Sequence, residues 1–251
     1  MPRAPSLLAR SLEPLVSALW MFFLVWSAIV AALWMGADEW LPAISNTGLR
    51  SAATLVSRAG DAIWLLLAAA NLHLHLAQKE GLNRARIVAA SIVAVAAGLA
   101  ASSAWTGYPL GPVFYTTRLG PKLGPVPLGW PLLWFVTVIS SRELAARILP
   151  RASHRAIALC AGAGALLTDL NLEPIAAKVR LFWFWYLPGS HLPSPPLWRN
   201  YATWFIAASA LAWFARDQKV VTSRDSWRPA IVVVIVNFVL ILGHLRAARL
   251  G

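Results

Sequence analysis

Acidic residues are scarce in this chain: ten Asp and Glu in 251 residues, against 22 Lys and Arg. Charged residues make up 13% of the sequence, about half the share in a soluble domain. That excludes an ordinary water-soluble fold. There is one cysteine, Cys160, so no internal disulfide can form and no cysteine-based metal cluster is possible. Paired aspartate clusters of the kind that hold a magnesium-diphosphate are missing too, Asp169-Leu170-Asn171 being a poor version of one. The last apolar run has no lysine, which removes a retinal Schiff base at that position. No internal repeat of the transporter kind is visible.

What the chain has in abundance is apolar surface: 59% hydrophobic residues, with mean hydropathy +0.62. We read it as an all-α, polytopic membrane helix bundle of about seven transmembrane helices, a single membrane domain over residues 1–251. The expected spans are Pro14 to Met35, Gly60 to Ala77, Ile87 to Ala104, Leu128 to Ile148, His154 to Leu172, Tyr201 to Ala215 and Pro229 to Leu245. The first, at about twenty residues, is long enough to cross a bilayer and longer than a signal-peptide core. A polar loop is expected from Ala37 to Ser57.

The net charge of +12 is dispersed between apolar runs rather than clustered. That pattern fits membrane lipids and topology control, and nucleic acid is not expected as a partner. Thirteen of the 22 cations, among them Lys79, Arg142, Arg151, Lys219 and Arg224, fall on one side of the predicted spans. The positive-inside rule then puts the N-terminus in the cytoplasm, within a bacterial or archaeal cytoplasmic membrane. By parity, the loop over 105–127 and the loop over 173–200 share the opposite face.

Those loops hold the chemistry-bearing residues. Asp169 and Glu173 lie four apart, so a helix reaching Pro174 puts them on one face, roughly 6 Å apart at Cβ. Two carboxylates that close beside a low-dielectric slab do not both ionise easily, so one keeps a proton to give. The competing reading leaves both acids in headgroup water with Lys178 and Arg180 as partners. Asp61 is expected to pair with Arg58, three residues away. His73 and His75 point about 200° apart on a helix and cannot chelate one metal, and no metal site is expected. Many of the 14 tryptophans suit an interfacial belt.

Thr106-Gly107-Tyr108-Pro109-Leu110-Gly111-Pro112, Tyr115-Thr116, Leu119-Gly120-Pro121, Val126-Pro127-Leu128 and Trp134 resemble the first block of the membrane carotenoid-biosynthesis proteins, which include carotenoid 1,2-hydratases. Asp169, Glu173-Pro174, Trp183, Trp185, Asn200-Tyr201 and Trp204 resemble the second. Three positions depart from the pattern. Ala100 stands where a glutamate is common, Glu173 where aspartate is usual, and Pro196 one residue earlier than usual. The resemblance implies cofactor-independent hydration of the terminal double bond of an acyclic carotenoid. Asp169 and Glu173 would then serve as acid and base, and Asn200 would orient water. Tyr115, Arg118, Trp134, Trp183, Trp185 and Trp204 would bind the substrate, a carotenoid or other polyisoprenoid lipid. The alternatives are a non-catalytic isoprenoid-binding protein, for which Ala100 argues, and a small-solute transporter.

Overall fold

The computed structural model describes residues 7–216 and 226–250. Arg3, Lys219 and Arg224, which entered the cation count, lie outside them. Among the described residues seven long helices make up the bundle, α1 (Leu7–Trp34), α3 (Thr47–Glu80), α4 (Leu82–Thr106), α5 (Gly129–Ile148), α6 (His154–Pro174), α7 (Trp198–Phe214) and α8 (Arg228–Leu250), with the single helical turn α2 (Ala37–Trp40) between α1 and α3. By length and composition, α1, α3, α4, α6 and α8 can each cross a bilayer. Of the other two, α5 carries Arg142 and Glu143 within its length and α7 has only 17 residues.

One boundary departs from expectation. The polar loop expected over 37–57 is largely helical, because α3 starts at Thr47. Asn46 caps it, its side chain accepting from the Leu49 amide at 2.9 Å, and no proline follows to interrupt the run. The resulting 34-residue helix is about 50 Å long by its rise per residue, well beyond a hydrocarbon slab.

The Gly/Pro-rich stretch after α4 does not become helix. Gly107 ends α4 in the left-handed conformation at φ 69°, and two short antiparallel ladders follow. In the first, β1 (Val113–Tyr115) pairs with a strand from the other loop. In the second, β2 (Lys122–Leu123) pairs with β3 (Val126–Pro127). After α6 a π-helical turn over Ile175–Val179 leads to β4 (Trp183–Trp185), which pairs with β1 in the register Val113↔Trp185 and Tyr115↔Trp183. The two loops are therefore hydrogen-bonded into one cap at one end of the bundle.

Small residues let α6 sit deep between its neighbours. A Cβ built on Gly162 would fall 2.0 Å from Ser209 Oγ and 2.7 Å from the Phe205 carbonyl on α7. One on Gly164 would fall 3.0 Å from Ser141 Oγ on α5. The Ala161-to-Ala165 stripe is thus a packing surface on two sides, as expected where helices associate without a strong solvent drive.

Candidate active site

Asp169 and Glu173 lie on the inward face of α6, with Thr168 and Leu172. Both acids are buried, at 0% and 5% exposure. That overturns the alternative of a helix end in headgroup water: of its two proposed partners, Lys178 and Arg180, the second turns away to Asp61 on α3. Facing the acids across the α6–α7 contact is Asn200, in the first turn of α7 and itself fully buried. Its amide nitrogen donates to Asp169 Oδ2 at 2.8 Å and to Glu173 Oε1 at 3.3 Å. Both Asn200 donors are spent on the two carboxylates, which leaves Asn200 Oδ1 buried without a partner among the described residues.

The cap supplies two further donors. Alternate residues of a strand face the same side, so the Trp-Phe-Trp run of β4 turns both indoles inward. Trp185 Nε1 donates to Glu173 Oε2 at 2.8 Å and Trp183 Nε1 to the same atom at 3.2 Å. Among the described residues Glu173 thus accepts three N–H bonds, whereas Asp169 accepts one and its Oδ1 has no partner. Gly111 makes room for this arrangement. At φ 135° it carries no side chain where a Cβ would meet the Trp185 ring at 3.3 Å.

An aromatic box adjoins the acids through Trp183, which bonds Glu173 and packs on Trp130. Trp130 is at its centre, with ring centroids 5.1 Å from Tyr115, 4.9 Å from Trp183 and 5.8 Å from Trp204, while Trp134 stacks on Trp204 at 4.0 Å. Tyr115 Oη and the indole nitrogens of Trp130, Trp134 and Trp204 are buried without hydrogen-bond partners among the described residues. Buried polar atoms are nearly always paired, so several orphaned donors beside two orphaned acceptors mark a place built for polar contacts beyond its own. Burial, and then the negative charge carried by the Glu173–Asp169 pair, push the Tyr115 phenol well above its ordinary range, so it stays a neutral donor.

Of the residues singled out from sequence, Asp169, Glu173, Asn200, Tyr115, Trp134, Trp183, Trp185 and Trp204 come together here. Arg118 does not join them. It is exposed, and its charge is felt at Asp61. Trp130, the hub of the box, was missed. The signal was present, since Trp130 and Trp134 are four apart at the start of α5 and share a face. The expected pairing of Asp61 with Arg58 is not what forms: Asp61 pairs with Arg180, whose Nε lies 2.9 Å from Asp61 Oδ2. A groove of about 670 Å³ lies on the opposite face of α6, lined mainly by apolar residues of α5, α6 and α8 with Asn171 and Asn237 among them.

The family model for carotenoid biosynthesis proteins matches residues 60–250, a stretch that contains the acid pair, the amide and the box. The chain belongs to the carotenoid biosynthesis protein family. Bisanhydrobacterioruberin hydratase from Haloarcula japonica is similar to it, 30% identical over 168 residues that cover 64% of this chain. The chain spans only a little over half of that relative, 56% of its length. No solved structure matches. Within this member of the family the two motif blocks are one structural unit, since the strand from the first is the hydrogen-bonded partner of the strand from the second.

Proposed function

We propose that this protein hydrates the terminal 1,2 double bond of an acyclic carotenoid end by acid catalysis, without a redox cofactor. The observation that carries the reading is the Asn200 amide shared between two buried carboxylates beside an aromatic box.

Asp169, with a single N–H donor and a free Oδ1, holds the proton. Glu173, with three donors, holds the negative charge, because hydrogen bonds from N–H groups favour a carboxylate. The Asp169 proton adds to C2 and leaves a tertiary cation at C1. Indole faces, Trp130 first among them, attract that cation through the ring quadrupole. A water that donates to Asn200 Oδ1 attacks C1 and gives its surplus proton to Glu173. Transfer of that proton back to Asp169 restores the site, and the net change is the addition of one water across the double bond. Water exclusion by the box protects the cation from premature capture and strengthens each electrostatic contact.

Membership of the family and the hydratase relative support this reading. The second reading, a carotenoid-binding relative without turnover, draws on Ala100, fully buried on α4 where the resembling proteins commonly have an acid. Expression in cells that accumulate lycopene tests both readings. A new pigment heavier by one water supports hydration, and an unchanged pigment profile with carotenoid co-purifying supports binding alone.

A further inference from the structure

Glu173 and the two indoles that grip it are close in sequence, but the chain between them is irregular. From Pro174 it runs through the π-helical turn, then Leu181 at φ 54°, a conformation uncommon for a residue with a side chain, and only then enters β4. The β1–β4 ladder begins only at Trp183, so no regular ladder holds the bend that leads into it. Its backbone is tied at a few points: Arg180 N to the Ile175 carbonyl at 2.8 Å, Phe182 N to the Ala176 carbonyl at 2.8 Å, and Thr116 Oγ1 to the Leu181 carbonyl at 2.7 Å.

A further tie is a side chain. Arg180, 8% exposed, reaches across to α3 and pairs with Asp61, 2% exposed. Its Nε lies 2.9 Å from Asp61 Oδ2, and Nη2 donates to the same atom and to the Ser57 carbonyl at 2.9 Å. The other Asp61 oxygen accepts from Trp34 Nε1 of α1 at 2.8 Å. The Trp34 ring meets Phe182 edge-on at 6.4 Å, immediately before Trp183. Two helices remote from the acid pair thus hold the bend at Arg180, three residues before the first indole that binds Glu173. A buried ion pair gains little net stability over apolar packing, and its best-attested use is to specify an arrangement.

On the hydration reading above, we infer that Asp61 and Arg180 are positioning residues. Their pairing sets the bend after Pro174 so that the indole N–H groups of Trp183 and Trp185 converge on Glu173 Oε2. Neither touches the acid pair, so their effect reaches the reaction through those two hydrogen bonds.

The test uses the full chain in lipid nanodiscs with ¹⁵N-labelled tryptophan, indole resonances being assigned by single Trp→Phe variants. Arg180→Lys keeps the charge but loses the planar fork. The resonances of Trp183 and Trp185 should move in it, while those of Trp20 and Trp227 stay. Turnover of an acyclic carotenoid should fall about a hundredfold with KM unchanged, the scale expected for a displacement near 1 Å. The double variant Arg180→Lys/Trp185→Phe should be no slower than the slower single variant, since both act through one contact. Asp61→Glu, which keeps the pair but lengthens one arm, is read in the same way if Arg180→Lys does not fold. Unmoved Trp183 and Trp185 resonances, or losses that multiply in the double variant, overturn the inference. If the wild-type protein shows no turnover, the hydration reading fails, and the resonances still decide the positioning role.

Discussion

Asn200 sits 31 residues after Asp169 in sequence, yet its amide nitrogen lies 2.8 Å from the Asp169 carboxylate and its carbonyl oxygen is left without a partner among the described residues. One side chain thus spends its donors on the acids and keeps its acceptor for a third party. Asn200→Ala removes both functions. We expect about 1–3 kcal/mol of lost stability for each carboxylate left short of a donor, seen as a lower unfolding temperature in detergent. Hydration should be lost in the same protein. Unaltered turnover in Asn200→Ala would remove the amide from the account.

Trp130 is expected to matter through its ring face. Trp130→Phe keeps a smaller aromatic surface and should lower turnover by roughly 2–30-fold, the range that an attraction of about 0.5–2 kcal/mol corresponds to. Trp130→Leu, without a ring, should fall further at comparable expression. Equal rates for the Phe and Leu variants would show that only volume counts at this position.

The helices were legible because apolar runs of membrane length leave little else to build, and the fold class stands, with five of the described helices long and apolar enough to cross a bilayer where seven spans were expected. The start of α3 was not, because Ser, Thr and Arg after Asn46 read as loop while the cap makes them the first turns of a helix. Within the site, the four-residue spacing of Asp169 and Glu173 was readable from helix geometry, and the other members came through the two motif blocks. Trp130 was hidden by abundance: among 14 tryptophans an interfacial reading could absorb any one of them. The partner of Asp61 was hidden by distance, since Arg58 is three residues away and Arg180 is 119. A long-range pair of that kind depends on the bend after Pro174, for which no periodicity exists.

Close contact between α6 and α7 is what brings Asp169 to Asn200. Gly162→Ala should force the two helices apart, because its methyl would overlap Ser209 Oγ and the Phe205 carbonyl. The expected cost is about 1–3 kcal/mol. Gly98→Ala on α4 is the control, with nothing within 4 Å of the added Cβ, and should be neutral or stabilising. Thermal unfolding of both variants in one detergent checks the pair.

The Tyr115 phenol gives a pH dependence with a definite sign. Its folded-state value is raised above 10.0, so the folded protein holds this proton more tightly than the unfolded chain does. The associated stability is intact below about pH 10 and declines as the pH rises above it, by up to about 1.4 kcal/mol per unit. Tyr115→Phe has no proton to lose there. Unfolding temperatures measured between about pH 9 and pH 11 should therefore fall more steeply for wild type than for Tyr115→Phe.

The central claim is that Asp169 is the proton donor, and Asp169→Asn addresses it most directly. The substitution keeps size and hydrogen-bonding capacity and removes the transferable proton. General acid catalysis contributes typically about 10²–10⁴-fold, so the variant should retain at most about one percent of the wild-type rate. The measurement is conversion of an acyclic carotenoid to its 1-hydroxy product by purified wild-type and Asp169→Asn proteins in the same vesicles, with folding checked by the unfolding temperature. A folded variant without detectable product is the predicted result; turnover comparable to wild type would contradict the account.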